Sequence, residues 1–468
     1  MALDETSQPL ELLLAVSRDA DLTLGGQIES QLRRAIRDGS VKPGARVPST
    51  RDLARQLGVS RRVVVDAYGQ LAAEGYLSLR QGARPHVSDV APGAGDGAAS
   101  TVAPPPVPRF DFRPSVPDVS MFPRAAWLRA MREALATISD ADLQYGDAAG
   151  VEALRSALSD YLGRVRGVVA EPARVVVTGG YTQSLALVCR ALATGGASRI
   201  ALEDPTNPEQ RETIAYAGLE AVPIPVDEDG LRIDALGRAS PDAVVVTPAH
   251  QHPTGAVLSG ERRAALLAWL RDRGAVAIED DYDAEYRYDR AAVGALQGLE
   301  PDRIVYAGSA SKTLAPALRL GWLVVPPRLL ERVRHEKLVA DLGTARIEQQ
   351  ALAHFLERGE LDRHLRRMRG RYRVRRDTLV RTLAEALPEA SVRGIAAGLH
   401  VTVALPEGYD EQAIADEAAR RRIAFNTMRD YRDEAGPAVL MLGYGQLSEP
   451  AIRAGVREVA EVVRAARR

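Results

Sequence analysis

Apolar residues recur with two different spacings along this chain. Between Leu22 and Val87 they fall three or four positions apart. Ile28, Leu32, Ala35 and Ile36 form one such set, and Val64, Tyr68 and Leu71 another. That spacing predicts amphipathic helices. From Phe110 onward, short unbroken apolar runs alternate with helical patterns. The predicted strands are Arg174–Thr178, Arg199–Leu202, Ala221–Val226, Ala243–Thr247, Ala275–Glu279, Ile304–Ala307 and Leu320–Val325. Runs without polar alternation belong to strands covered on both faces, so a mainly parallel α/β sheet is expected. After Pro327 the pattern changes to long helices, a strand at Leu399–Ala404 and an alternating αβ tail, which predicts a smaller second subdomain.

Local stop and start signals sharpen the amino-terminal part. Ser49 with Asp52 three residues on reads as a capping box opening a helix Thr50–Leu57, which stops at Gly58. Ser60 caps a second helix, Arg61–Ala73. Two helices around a Gly-containing turn make a helix-turn-helix. Tyr76–Arg80 and Pro85–Val87 then read as a two-stranded wing with Gly82 at its tip.

Charge separates this unit from the rest. The 468-residue chain has a formal net charge of -1, whereas Leu22–Val87 carries eleven basic and five acidic residues, a net +6. That asymmetry fits a DNA-binding module, with Arg61 and Arg62 at the start of the recognition helix. The candidate DNA contacts are Arg46, Ser49, Thr50, Arg51, Ser60, Arg61, Arg62, Arg80 and Arg84. The predicted domains are 10–87, a flexible Ala/Pro/Gly-rich linker over 88–108, and 109–468, with a large part at about 140–326 and a small part at about 327–468. One cysteine, Cys189, permits no internal disulfide, the amino terminus is acidic, and no apolar run is long enough to span a bilayer. A cytoplasmic protein is expected.

Four stretches of the large region carry candidate chemistry. Gly308-Ser-Ala-Ser-Lys312-Thr presents one lysine among small and hydroxyl-bearing residues, with Arg319 just beyond. Lys312 suits a Schiff base, and Ser309, Ser311 and Arg319 suit a phosphate cup. Thr178-Gly-Gly-Tyr-Thr-Gln-Ser184 joins a strand to a helix, where backbone N–H groups of Tyr181, Thr182 and Gln183 can meet an anion. Ile278-Glu-Asp-Asp-Tyr-Asp283 ends an apolar strand in carboxylates. Asp280 suits a pyridinium nitrogen, and Tyr282, two residues on along an extended segment, suits the ring hydroxyl. Thr247-Pro-Ala-His-Gln-His252-Pro-Thr-Gly255 offers polar side chains to the same ring.

The run from Gln27 to Gly82 resembles a GntR-type winged helix, with QGARPHV where that family has a Gly-Ser-Gly-Thr-Phe-Val type wing. YGDAAGVEALRSAL, EDP, TPAHQHPTG, IEDDYDAEYRY and YAGSASKTLAPALRLGW resemble the fold-type I, aspartate-aminotransferase-like proteins that use pyridoxal 5′-phosphate (PLP). Together they resemble the MocR subfamily of GntR regulators, PdxR-like in character. The resemblance implies an N-terminal winged helix joined to a PLP-binding aminotransferase-like domain with a smaller C-terminal α+β subdomain. It implies Lys312 as the Schiff-base lysine, Asp280 as the pyridinium partner, Tyr282 at O3′, and Ser309, Ser311 and Arg319 in the phosphate cup. It also implies Tyr145 as the tyrosine reaching the phosphate of a neighbouring subunit, hence a homodimer.

The departures from that family lie on the substrate side. Asn207 stands where an aromatic residue is usual, His252 where Asn-Pro-Thr-Gly has its Asn, and Met441 where an arginine captures a carboxylate. Methionine forms no bidentate link to a carboxylate, and Arg429 or Arg432 could substitute. Weak or absent transamination is expected, with PLP itself as effector and operator DNA as partner. A working aminotransferase, a regulator sensing an amine through bound PLP, and a PLP-independent DNA-binding protein are the alternatives.

Overall fold

A computed structural model describes residues 14–80, 83–88, 107–288, 294–394, 397–433 and 435–467. The chain divides into two compact units, 1–105 and 106–468.

In the first unit, helices α1 (Leu24–Arg37), α2 (Thr50–Leu57) and α3 (Arg61–Ala73) precede β1 (Leu77–Ser78) and β2 (His86–Val87), which pair antiparallel. The apolar stripe set by the sequence is buried: Ile28, Leu32, Leu53, Val64, Ala67, Tyr68 and Leu71 form one core with Tyr76 and Val87. Tyr68 donates its hydroxyl to the Pro48 carbonyl at 3.0 Å, tying α3 to the turn ahead of α2. The predicted wing tip at Gly82 lies outside the described residues.

In the second unit β3 (Phe110–Asp111) precedes a sheet of eight strands: β4 (Val175–Thr178), β5 (Arg199–Asp204), β6 (Glu220–Asp227), β7 (Gly230–Leu231), β8 (Ala243–Val246), β9 (Val276–Asp280), β10 (Ile304–Ser309) and β11 (Gly321–Val324). Their order across the sheet is β4-β11-β10-β9-β8-β5-β6-β7. The five strands β10, β9, β8, β5 and β6 run parallel, with cores on both faces. The all-apolar runs follow from that double burial.

β11 departs from the mainly parallel expectation, since it runs antiparallel to both β10 and β4. Its connection to β10 holds only a one-turn helix, Ala310–Thr313, and a 3-10 turn, Pro316–Leu318. No crossover helix intervenes, so the chain returns beside the strand it left.

The small part holds β12 (Ser391–Arg393), β13 (His400–Ala404), β14 (Ile423–Ala424), β15 (Asn426–Thr427) and β16 (Val439–Gly443), with the 27-residue helix Glu360–Ala386 and the helix Glu449–Ala465. Sheet order there is β12-β13-β16-β15, and β14 pairs with β3. The segment at Phe110 thus joins the small part from far upstream in the sequence.

Candidate functional site

The first unit carries its candidate DNA-contact arginines on the surface. Arg51, Arg61 and Arg62 are exposed on α2 and α3, and Arg46, Arg80 and Arg84 are exposed around the wing. Ser49 accepts from the Asp52 N–H at 3.2 Å and donates to its carboxylate at 2.6 Å; Ser60 accepts from the Val63 N–H at 3.4 Å. Both serines are therefore committed to capping, which fixes how α3 starts beneath Arg61 and Arg62. Thr50 is the first residue of α2 and half-buried.

In the second unit the predicted residues gather at one end of the parallel strands. β9 ends at Asp280, and the β10 excursion carries Ser309, Ser311, Lys312 and Arg319. Lys312 lies on the one-turn helix rather than in an irregular loop. β4 leads through Gly179-Gly180 into the helix Tyr181–Ala193. Two glycines bring these pieces together. A Cβ on Gly321 would lie 2.8 Å from the Gly180 Cα, so β11 and the helix start touch through backbone. Gly180 has φ +110, and a Cβ there would meet the Arg319 guanidinium at 3.1 Å. Arg319 thus sits over the opening turn of a helix whose first N–H groups have no intrahelical partner. Among the described residues its guanidinium makes no ion pair or hydrogen bond.

The acidic run after Ile278 is parcelled out carboxylate by carboxylate. Glu279 accepts from the Leu296 and Gln297 N–H groups at 2.8 Å each. Asp281 forms a buried ion pair with Arg166 at 2.7 Å and accepts from Tyr306 at 2.7 Å. Asp283 meets His250 at 3.0 Å. Asp280 is the member left facing the site, beside the Tyr181 hydroxyl. Burial, then the charge of Asp281, raises its pKa well above the usual carboxylate range, while Tyr181 opposes the shift. A cation placed against Asp280 would restore its charge.

Burial lowers the pKa of Lys312, with Asp283, Asp280 and Glu209 opposing. A lysine shifted that way is closer to a neutral amine, the form that attacks a carbonyl. Tyr282 touches the ring of His252 edge-on at 5.7 Å, and His252 meets His400 and Tyr431 in the same manner. Burial holds His252 well below its normal pKa and brings His400 to about 4, so both rings are neutral. The His252 Nδ1 is buried without a hydrogen-bond partner.

Several placements differ from the sequence expectation. Tyr282 lies just past the end of β9, in a bend, not on an extended strand. Gln183 spends its side chain locally. Its Oε1 accepts from the Gly179 N–H at 2.6 Å and from Lys337 at 3.2 Å, and its Nε2 donates to Asp341 at 2.7 Å. The Gly179 N–H is therefore already satisfied, leaving the first N–H groups of the helix for an anion. Tyr181 contributes its side chain to Asp280 and receives Gln210 at 3.3 Å, while Thr182 is exposed. Asn207 caps the helix Pro208–Tyr216. Arg432 is bound to Glu411 at 2.6 Å and, with Arg429, borders a depression shared with Tyr409 and Gln412, so it does not stand in for the missing arginine. Met441 is fully buried on β16 between Thr402 and Asn426.

Tyr145 is 89 % exposed. It borders an open depression together with Leu143 and the segment Asp341–Arg346. That segment also lines a neighbouring depression of about 540 Å³ that contains Arg319 and Gly179. The sequence reading had not singled out His250–Asp283, Arg166–Asp281 or Lys337, whose Nζ binds Asp341 at 2.6 Å and Thr344 at 2.8 Å.

The residues fit PLP. The Arg319 guanidinium and a glycine cradle meet the needs of a phosphate, the buried Asp280 has no ion pair among the described residues, and the desolvated Lys312, which feels the Asp280 charge, lies on the same excursion as Arg319.

A winged helix-turn-helix and a fold-type I aminotransferase domain in one chain define a class of transcription regulator. Residues 24–87 match the bacterial regulatory proteins of the gntR family, and 117–425 match aminotransferase class I and II. The chain belongs to the MocR-type GntR regulators, DNA-binding proteins with an aminotransferase-like domain. It is 32 % identical over 461 residues to the HTH-type pyridoxine biosynthesis transcriptional regulator PdxR of Corynebacterium glutamicum, covering 97 % of this chain and 99 % of that one. It is 31 % identical to the probable rhizopine catabolism regulatory protein MocR of Rhizobium meliloti, over 96 % of this chain and 95 % of the relative. Among solved structures, the multiple substrate aminotransferase of Thermococcus profundus superposes with a TM-score of 0.70 at 26 % identity, covering 76 % of this chain and 91 % of the enzyme.

Proposed function

We propose that this regulator binds PLP at Lys312 and that PLP is its principal effector, its operator being in genes of vitamin B6 synthesis. The observation that carries the reading is the convergence of Asp280, Lys312 and Arg319 at the carboxyl ends of the interior strands β9 and β10, with Gly180 cradling the arginine. Asp280 pairs with the ring nitrogen and Tyr282 faces the ring hydroxyl. Ser309, Ser311, Arg319 and the helix start at Tyr181–Gln183 hold the phosphate. His252 borders the ring. Bound there, PLP supplies an electrophilic aldehyde carbon for the lysine.

The substrate side argues against a working transaminase. Met441 offers no charge to a carboxylate, Arg432 is held by Glu411, and Arg211 is held by Asp204 and Asp433. The likeness to PdxR of Corynebacterium glutamicum supports vitamin B6 genes as the target. Tyr145, with the exposed Leu143 and Leu342 beside it, supports a homodimer in which this tyrosine reaches the neighbour's phosphate. Two winged helices then meet two half-sites in the cytoplasm, and PLP occupancy biases their arrangement.

The test is operator binding by the full chain with and without PLP, alongside Lys312→Ala, while the absorbance of the lysine-bound cofactor is followed. Wild type should acquire the band and change its DNA affinity, and the variant should do neither. A band whose appearance leaves DNA affinity unchanged until an amine is added would overturn PLP as the effector. Transamination of common amino acids at ordinary enzyme rates would overturn it too.

A further inference from the structure

We infer that His250 is a positioning residue for Tyr282: clamped by Asp283, it turns the tyrosyl proton toward the ring oxygen of the bound cofactor. This rests on the reading that PLP lies against Lys312, Asp280 and Tyr282.

Three distances carry the inference. The His250 Nδ1 is 3.0 and 3.2 Å from the two Asp283 carboxylate oxygens and 3.1 Å from the Tyr282 hydroxyl. The imidazole and phenol rings are nearly parallel, 27° apart with centroids at 6.1 Å. Without a proton on Nδ1, its lone pair would face a carboxylate oxygen at 3.0 Å, two acceptors with no hydrogen between them. Asp283 therefore fixes the tautomer that carries the Nδ1 proton. That N–H is shared between Asp283 and the tyrosyl oxygen, which makes the oxygen an acceptor on this side. Its own hydrogen then points away from the imidazole, where a ring oxygen in the site competes for it with the Asp283 carboxylate.

The surroundings keep this arrangement in place. Burial, then the charges of Asp283 and Asp280 and a hydrogen bond to Asp283, keeps the Tyr282 hydroxyl protonated, with Glu203 adding in the same sense. A Cβ on Gly398 would lie 2.5 Å from both the Asp283 carboxylate and the His250 ring, so the small part seals the pair from outside. The other ionisable groups facing His250 are His252 two residues on, His400 on β13, and Arg166 and Arg287 across a small cavity. Lys312 acts on His252 and His400.

The consequence concerns the proton on the lysine–cofactor linkage. With PLP held there, loss of that proton would leave negative charge on the ring oxygen, and a hydrogen bond donated by Tyr282 would favour the deprotonated form. The donor therefore lowers the titration midpoint of the linkage, and loss of the donor raises it.

The test is a spectral pH titration of the PLP-loaded full chain. Tyr282→Phe should raise the midpoint by about one unit. His250→Phe should raise it by at least about half a unit, since an unclamped hydroxyl donates less often. His250→Asn, whose side-chain N–H stands near the Nδ1 position, should return it close to wild type. The double variant of His250→Phe and Tyr282→Phe should go no higher than Tyr282→Phe alone. His250→Leu, which likewise removes the Nδ1 proton without changing a charge, should also raise the midpoint and serves where His250→Phe does not fold. An unmoved midpoint in the His250→Phe and His250→Leu proteins overturns the inference, as do equal shifts in the Phe and Asn variants at position 250. A wild-type chain that never develops the band removes the PLP reading, and this inference with it.

Discussion

The Arg319 guanidinium lies 3.1 Å from the point that a Cβ on Gly180 would occupy. Glycine at 180, at φ +110, is what lets the guanidinium rest on the helix start. Gly180→Ala should strain the backbone and displace Arg319 together. Arg319→Met should remove a charge-assisted contact of about 1.5–3 kcal/mol, weakening PLP binding roughly 10- to 100-fold. Equilibrium titration of both variants, with circular dichroism as the control for folding, checks this.

Arg166 and Asp281 form an ion pair with side chains 1 % and 2 % exposed. Breaking such a pair strands a charge in the interior. Arg166→Met should cost about 3–5 kcal/mol. Urea denaturation of the variant should show a midpoint well below wild type. A midpoint close to wild type would mean that Asp281 is readily protonated or hydrated once its partner is gone.

Glu203 is buried against Thr247 and Gln251, and burial pushes its pKa up to about 7. A carboxyl raised in the folded state stabilises below its ordinary value near 4.5, and that stabilisation is lost as pH rises toward 7. Glu203→Gln keeps an acceptor for the Thr247 N–H and removes the titration. The variant should gain stability relative to wild type between pH 5 and pH 8, by about 1–3 kcal/mol. Denaturant titrations at those two pH values read the difference.

Ser60 and Arg61 stand side by side, yet their substitution should have separable effects. Ser60→Ala loses the cap on α3 and should cost about 1 kcal/mol of stability. Arg61→Ala, exposed and without an ion pair among the described residues, should leave stability unchanged. It should weaken operator binding and reduce the slope of log affinity against log salt by about 1. Mobility shifts at several salt concentrations distinguish the two.

How much of this was legible in the sequence depended on range. The bounds of α2 and α3 could be read from Ser49, Gly58 and Ser60, because caps act over three residues. Asp280, Lys312 and Arg319 were legible as motif members, since Asp280 ends one apolar run and Lys312 and Arg319 lie in the short stretch between two others. The direction of β11 was not, because an apolar run has no polarity and only the length of the connection decides it. His250–Asp283, Arg166–Asp281 and Gln183–Asp341 were also hidden: the partners lie 33, 115 and 158 positions apart, and no local spacing ties them. The acidic run read as one cluster, whereas the fold gives Glu279, Asp281 and Asp283 separate partners and leaves Asp280 to the site.

The antiparallel return of β11 has one more effect. Ser309 and Gly321 are register partners, so the excursion bearing Ser311, Lys312 and Arg319 is pinned shut at its base. Its closure entropy is met by the sheet, not by the ligand. A cofactor arriving there finds lysine and arginine already at their stations and gains affinity from that preparation. The same preparation makes this excursion a poor messenger, for a segment that is already set has little left to report. News of occupancy has to travel by parts that still have two arrangements open to them.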